Sequence, residues 1–305
     1  MKKPRESAPP PARGQRQLPY DVAVVGLGAM GSAALWQLAR QGVRVVGVDR
    51  FRPPHDAGST HGQTRIIREA YFEHPLYVPL VQRAYRMWDH LERISGYELF
   101  KPTGGLMLGP EQGTLVAGAL RSAREHRLAH ELVDAADVGK RYPALTPPAG
   151  DVGVIEPRAG LLFPERGLRV MLDAAISLGA TVGVGVRVFS WEARARGVTL
   201  HTNDGDITAA RAIFAPGAWI GALVPELASS LTVARQMGHW FQPRAHAERF
   251  RADRMPVLLW EHAPERFFYS LPDVGDGLKA SIHHEGRTVH PDAPRQVVTQ
   301  AETVP

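Results

Sequence analysis

The 305-residue chain contains no cysteine at all. That excludes disulfide bonds, thiolate metal sites and a cysteine nucleophile, while saying nothing firm about the compartment. No apolar run approaches membrane-spanning length, and no apolar core of a secretory signal precedes Val22. We therefore expect a cytoplasmic protein with no membrane partner. A chain-wide excess of one charge is also missing. The formal net charge is +5, and Lys2, Lys3, Arg5, Arg13 and Arg16 against Glu6 account for +4 of it. Residues 1–19, rich in Pro, Arg and Gln, are expected to form a disordered basic leader. The balanced remainder speaks against a nucleic-acid partner. His283, His284 and His290 do not fall at a ligand spacing, and no carboxylate cluster accompanies them, so no metal site is expected. With 44% hydrophobic and 22% charged residues, what is left is a globular chain long enough for two buried cores.

What is present is organised around Tyr20 to Asp49. Tyr20-Asp21-Val22-Ala23-Val24-Val25 is a short β-branched run, as a strand buried on both faces requires. It leads into Gly26-Leu27-Gly28-Ala29-Met30-Gly31. A helical pattern follows with Ala34, Leu35, Leu38 and Ala39 facing a sheet, and Gly42 stands where a helix C′ residue belongs. Val43 to Val48 is a second strand, closed by Asp49. Gly26 permits the tight turn, Gly28 lets backbone approach a pyrophosphate, and Gly31 lets helix and strand pack closely. The helix N-terminus suits the anion, and Asp49 suits an adenosine ribose. An ordinary glycine-rich turn is the plain alternative.

Beyond Asp49 the prolines of Arg50-Phe51-Arg52-Pro53-Pro54-His55 forbid the helix that a simple nicotinamide domain would place next. A long cationic loop, Gly58 to Arg68, takes its position. An amphipathic helix is expected from Leu76 through Leu91, ending near Gly96, with Met87 and Trp88 in the core. Strands are expected at Leu99-Phe100 and Leu106–Leu108, then helices over Leu115–Arg127 and Ala135–Tyr142. Pro147-Pro148-Ala149-Gly150 reads as a linker. A strand at Val152–Ile155 and a helix from about Gly167 to Leu178 follow. Val182–Val188 and Val198–Thr202 read as strands, with a turn at Asn203-Asp204-Gly205. Arg211–Ala215 runs into Gly217 as a strand returning to the first sheet. Met237–Gln242, Val257–Trp260, Phe267–Leu271 and Leu278–His283 suggest a largely antiparallel second domain.

Pro53-Pro54-His55 followed by Gly58-Ser59-Thr60-His61-Gly62-Gln63-Thr64-Arg65-Ile66-Ile67-Arg68 resembles the family of monomeric sarcosine oxidase and N-methyltryptophan oxidase. Further matches are Gly104-Gly105-Leu106, Gly160-Leu161-Leu162-Phe163, Gly217-Ala218-Trp219, Arg235-Gln236 and Gly277-Leu278-Lys279 with His283. The resemblance covers almost everything after residue 19. It implies an α/β fold: an FAD-binding Rossmann-like domain (20–85 and 150–222) joined to a mixed, largely antiparallel substrate domain (86–149 and 223–298), with a polar tail at 299–305. It implies a small secondary amino acid as substrate, FAD as cofactor and oxygen as electron acceptor, the products being an imine and hydrogen peroxide.

The same resemblance implies the residue roles. Gly26, Gly28, Gly31, Asp49, Arg50, Val188 and Gly217 would contact the cofactor, Val188 through its backbone at the adenine. His61, Thr64 and Arg65 would lie against the isoalloxazine, where a cation favours the anionic reduced ring. Arg68 would bind the substrate carboxylate, which a guanidinium fork suits. Lys279 would serve oxygen activation, His283 the substrate amine, and Tyr269 the substrate. Phe268 stands where the family often has a tyrosine. The plain alternatives are ion pairs for Arg65 and Arg68, a solvated edge-strand lysine and a core histidine. The family continues into a further segment that carries a flavin-linking cysteine, a second carboxylate-binding lysine and a glycine-rich loop. We therefore expect noncovalent FAD, impaired turnover of this chain alone, and a monomer or association through surface left uncovered. A nicotinamide-dependent dehydrogenase and an inactive remnant that at most binds nucleotide are the competing readings.

Overall fold

A computed structural model describes residues 18–284, 286–293 and 298. Residues 1–17 of the expected leader and the expected tail at 299–305 lie outside the described residues. The chain forms a mixed α/β structure that divides into two compact units. The first comprises the described residues up to Arg52 together with Ala174–Pro216, and the second Pro53–Asp173 with Gly217 onward.

The first unit is built on a six-stranded sheet. Its order is Val188–Arg194, Gly197–Thr202, Gly205–Phe214, Tyr20–Val25, Val45–Asp49 and Thr181–Val184. Tyr20–Val25 sits inside it, parallel to both neighbours, with Val24 opposite Ile213 on one side and Gly47 on the other. The expected return strand is therefore real, and it extends back to Gly205. The place a third local strand would take beside Val45–Asp49 is filled by Thr181–Val184, far along the chain. Prolines 53 and 54 make that long detour necessary, since they stop a helix from forming directly after Asp49.

The helix Ala29–Arg40 buries Gly31, Ser32, Leu35, Trp36 and Ala39. Its stripe is rotated from the expected one, because Trp36 is 1% exposed while Ala34 and Leu38 are only half-buried. An indole removes far more apolar area from water than an alanine methyl, and the helix turns to bury it. The strand expected over Val182–Val188 is instead two, Thr181–Val184 at one edge of the sheet and Val188–Arg194 at the other, separated by Gly185 at a φ of 75°. Trp191 to Arg194 pair with Gly197–Leu200 through the backbone, although this strand has no buried face beyond Val188 to announce it.

The second unit holds a seven-stranded sheet ordered His239–Phe241, Leu278–Ile282, Arg266–Leu271, Val257–Ala263, Gly105–Pro110, Asp151–Glu156 and Glu131–Asp134. Only Val257–Ala263 and Gly105–Pro110 pair in parallel, so the sheet is largely antiparallel, as expected. Met107, Val154 and Leu259 meet Val116, Ala119 and Leu120 of the helix Thr114–Glu125 on one face. Leu106, Leu108, Val133 and Leu258 form the core on the other. A small sheet joins Arg65–Ile67, Gly160–Leu162 and Phe100–Pro102, so the end of the expected cationic loop is a strand. The helix Tyr77–Ser95 stops at Gly96, whose φ of 71° ends it in the left-handed form. Among the described residues no helix is long and apolar enough to cross a membrane.

Candidate active site

In the first unit the glycine turn is closed by backbone on backbone. A Cβ at Gly26 would lie 2.4 Å from the Ala215 carbonyl oxygen, and one at Gly31 would lie 1.7 Å from that of Gly26. Gly26 also has a φ of 90°. Neither position has room for a side chain. The helix Ala29–Arg40 starts at Gly28 with no side-chain cap and no acidic residue in its first turn. Asp49 is buried, and its carboxylate accepts the Leu27 N–H at 2.7 Å and the Phe51 N–H at 2.9 Å. It is a brace for the glycine turn. Arg50 lays its guanidinium over the Phe51 ring at 4.8 Å. Val188 is buried at the start of its strand, just beyond Val186, whose N–H bonds to the Asp49 carbonyl.

The second unit gathers charge. Lys279 is 5% exposed and donates from Nζ to the carbonyls of Gly62 at 2.7 Å and Thr64 at 3.0 Å. Arg65 donates to the same Thr64 carbonyl at 2.8 Å and to that of Ser59 at 2.6 Å. Two cations therefore share one carbonyl oxygen. Burial, reinforced by Arg65, pulls the Lys279 ammonium down to about 8, while Glu165 opposes the shift. His61 is held below the ordinary imidazole value by burial and then by Arg65. Thr64 is buried at the centre of this turn.

Arg68 is also buried, and its Nη2 donates to both carboxylate oxygens of Glu73 at 3.0 Å. Nη1 donates to the Ala70 carbonyl, and the guanidinium lies 4.2 Å from the Tyr71 ring centroid and 5.0 Å from that of Phe72. Glu156 braces the segment by accepting the N–H groups of Glu69 at 2.6 Å and Ala70 at 2.8 Å. Tyr269 meets His283 edge-on at 6.3 Å. Burial first, then His284, keep His283 below its ordinary value, with Glu73 and Arg68 also within electrostatic reach. Strand register puts Tyr269, opposite Ser281, on the same sheet face as Lys279, opposite Leu271. Phe268 falls on the other face and packs against Trp260 at 5.4 Å, in the core. The neighbouring tyrosine therefore shares the lysine's face, and the phenylalanine does not. Gly217 opens the remaining stretch at a φ of 57°, with open space where a Cβ would go.

Several contributors were not singled out from sequence. Glu73, Glu156 and Glu165 act through carboxylates, and carboxylates outside a cluster carry no sequence signal of their own. Glu156 and Glu165 do flank Gly160-Leu161-Leu162-Phe163, and Gln63 lies inside the cationic motif, so position within a motif was the available clue.

Comparison with known proteins adds four findings. The family model described as FAD dependent oxidoreductase matches residues 21–303. Monomeric sarcosine oxidase of Streptomyces avermitilis is 38% identical over 276 residues, covering 90% of this chain and 72% of that relative. N-methyl-L-tryptophan oxidase of Yersinia pestis is 33% identical over 277 residues, covering 91% and 74%. Among solved structures, the open form of NikD, an unusual amino acid oxidase essential for nikkomycin biosynthesis, superposes with a TM-score of 0.73 over 94% of this chain and 75% of that one. At 22% identity that likeness speaks for the fold alone.

Proposed function

As the chain belongs to the FAD dependent oxidoreductase family, we propose that it oxidises the C–N bond of a secondary amino acid, N-methylated or cyclic, with oxygen as final acceptor. The products are an imine, which water hydrolyses, and hydrogen peroxide. FAD, when bound, would supply two-electron redox chemistry between the C–H bond beside the amine and oxygen.

The residues fit that cofactor. Gly26, Gly28 and Gly31 leave an uncapped helix start free of side chains, as a pyrophosphate needs. Asp49, Arg50 and the Val188 backbone would serve the adenosine end. His61, Thr64, Arg65 and Gly217 would serve the flavin end, where the Arg65 cation stabilises negative charge. These residues include no cysteine, which is consistent with noncovalent attachment. The nicotinamide reading falls away with the family match.

The observation that carries the proposal is the buried pairing of Lys279 with Arg65 on the Gly62–Arg65 turn. A lysine held near a pKa of 8 is partly neutral at neutral pH and exchanges a proton readily. Arg68 already holds one carboxylate through Nη2, that of Glu73, and a substrate carboxylate would take that place. His283, kept neutral by burial, accepts from the substrate nitrogen, and Tyr269 borders the same space. The relatives' names supply the substrate class. A peroxide-coupled assay with sarcosine, N-methyl-L-tryptophan and pipecolate, run with excess FAD, tests the proposal. Peroxide formed with one of these and with none of the matching tertiary amines supports it. Protein whose bound FAD no secondary amino acid reduces under anaerobic conditions contradicts it.

A further inference from the structure

Two consecutive residues of the turn under Lys279 are left-handed, Gly62 at a φ of 91° and Gln63 at 68°. The second carries a side chain, and such residues rarely adopt that form unless their surroundings demand it. This conformation aims the carbonyls on both sides of Gln63, those of Gly62 and Thr64, at the same Nζ. All the polar groups of Gln63 other than its own carbonyl are engaged. Its N–H donates to Glu165 at 2.9 Å, its Nε2 to Asp276 at 2.6 Å, and its Oε1 accepts from Trp240 Nε1 at 3.3 Å.

The three partners are placed to matter. Asp276 precedes Lys279 by three residues, in the turn that leads into its strand, and its carbonyl is held in turn by Gln242. Trp240 pairs directly opposite Lys279 on the adjacent strand, and its ring centroid lies 5.2 Å from Nζ. Glu165 stands in the first turn of the helix Pro164–Ser177 and faces both Lys279 and His61 electrostatically. A Cβ on Gly62 would touch Nζ at 3.3 Å and Trp240 at 3.8 Å, so the ammonium is closely confined.

We propose that Gln63 is the positioning residue for the Lys279 ammonium, clamping the turn so that two carbonyls and one indole face hold it in place. Its relevance to turnover rests on the oxidase reading, but the clamp itself does not. Removing the Gln63 amide frees Asp276 and Trp240 and lets the turn relax. Lys279 then gains water, and its proton affinity returns toward that of an ordinary lysine. Arg65, Glu165 and His61 are the charged and titratable groups that face it, and none of them is altered.

The test is pH-dependent labelling of Lys279 by an amine-reactive reagent, read by mass spectrometry on the full chain without FAD and again with FAD. Gln63→Gly keeps the left-handed backbone accessible and deletes the clamp. Gln63→Asn keeps an amide too short to span Asp276 and Trp240, and asparagine also tolerates this conformation. In the parent we expect labelling with a midpoint near 8. In the variants the midpoint should rise by one unit or more and the limiting rate several-fold, with cooperative melting retained. A midpoint unchanged in whichever variant melts cooperatively overturns the proposal. A protein without peroxide production but with the shifted midpoint would refute the oxidase reading and leave the clamp standing.

Discussion

The two glycine turns of this chain are tight for opposite reasons. Gly26 to Gly31 is enclosed by main chain, with carbonyl oxygens 2.4 Å and 1.7 Å from where a Cβ would sit. Its one buried charge, Asp49, is spent on backbone N–H groups. The turn from Gly62 to Arg65 is enclosed by side chains, among them two cations and an indole. On the function proposed here, the first would recognise its ligand through shape and the helix dipole, and the second would work through buried charge. Space should therefore break the first, while charge and pH should tune the second.

The largest effect is expected from Gly31→Ala. Its methyl meets backbone that cannot swing aside, so the cost is about 3 kcal/mol, roughly 5–10 °C of melting temperature. Retained FAD should be lost with it, which flavin absorbance of the purified variant measures. Gly62→Ala is the counterpart in the second turn. It meets side chains rather than backbone, and with the strain of a methyl at a φ of 91° it should cost about 1–2 kcal/mol, by the same melt. Equal losses in the two variants would erase the contrast between the turns.

Next in size is Lys279→Met, which keeps the bulk and removes the charge. Turnover should drop by about 10²-fold if the ammonium acts electrostatically in the rate-limiting step, while FAD affinity changes little. Stopped-flow reoxidation by oxygen locates the loss. Arg68→Ala should weaken a small carboxylate inhibitor by about 1.5–3 kcal/mol while sparing FAD, as a flavin-absorbance titration would show.

Much of the first turn could be read from sequence, and less of the second. A β-branched run, three spaced glycines and an acid closing the next strand are local signals, and the parallel strands around them were expected. The rotation of the helix onto Trp36 was not, because alanine and tryptophan look alike to a pattern that counts apolar positions. In the second unit the cationic motif was legible as residues. Its meaning was not, since Lys279 meets Gly62 across more than two hundred positions. Nor could sequence show that Arg68 faces Glu73, or that strand register turns Tyr269 toward the lysine and Phe268 away. Those are facts of tertiary packing.

A further effect is expected in the pH dependence of stability. Lys279 holds its proton less tightly when folded, near 8, than an unfolded lysine does at about 10.4. Between those values the unfolded chain binds more protons, so this group's penalty is full below 8 and fades as pH rises toward 10. Relative to Lys279→Met, the parent should gain melting temperature over that window. A constant difference would mean that the ammonium is not buried.

The account's central claim is a flavin site that reads a secondary amino acid. Its most direct test is anaerobic mixing of the FAD-loaded protein with sarcosine or N-methyl-L-tryptophan, followed by air. Bleaching of the visible flavin band by at least one of them, return of colour with one peroxide per cycle, and full release of the colour into the acid supernatant are the predicted results. A protein that takes up no FAD, or a bound flavin that no secondary amino acid bleaches, would contradict it.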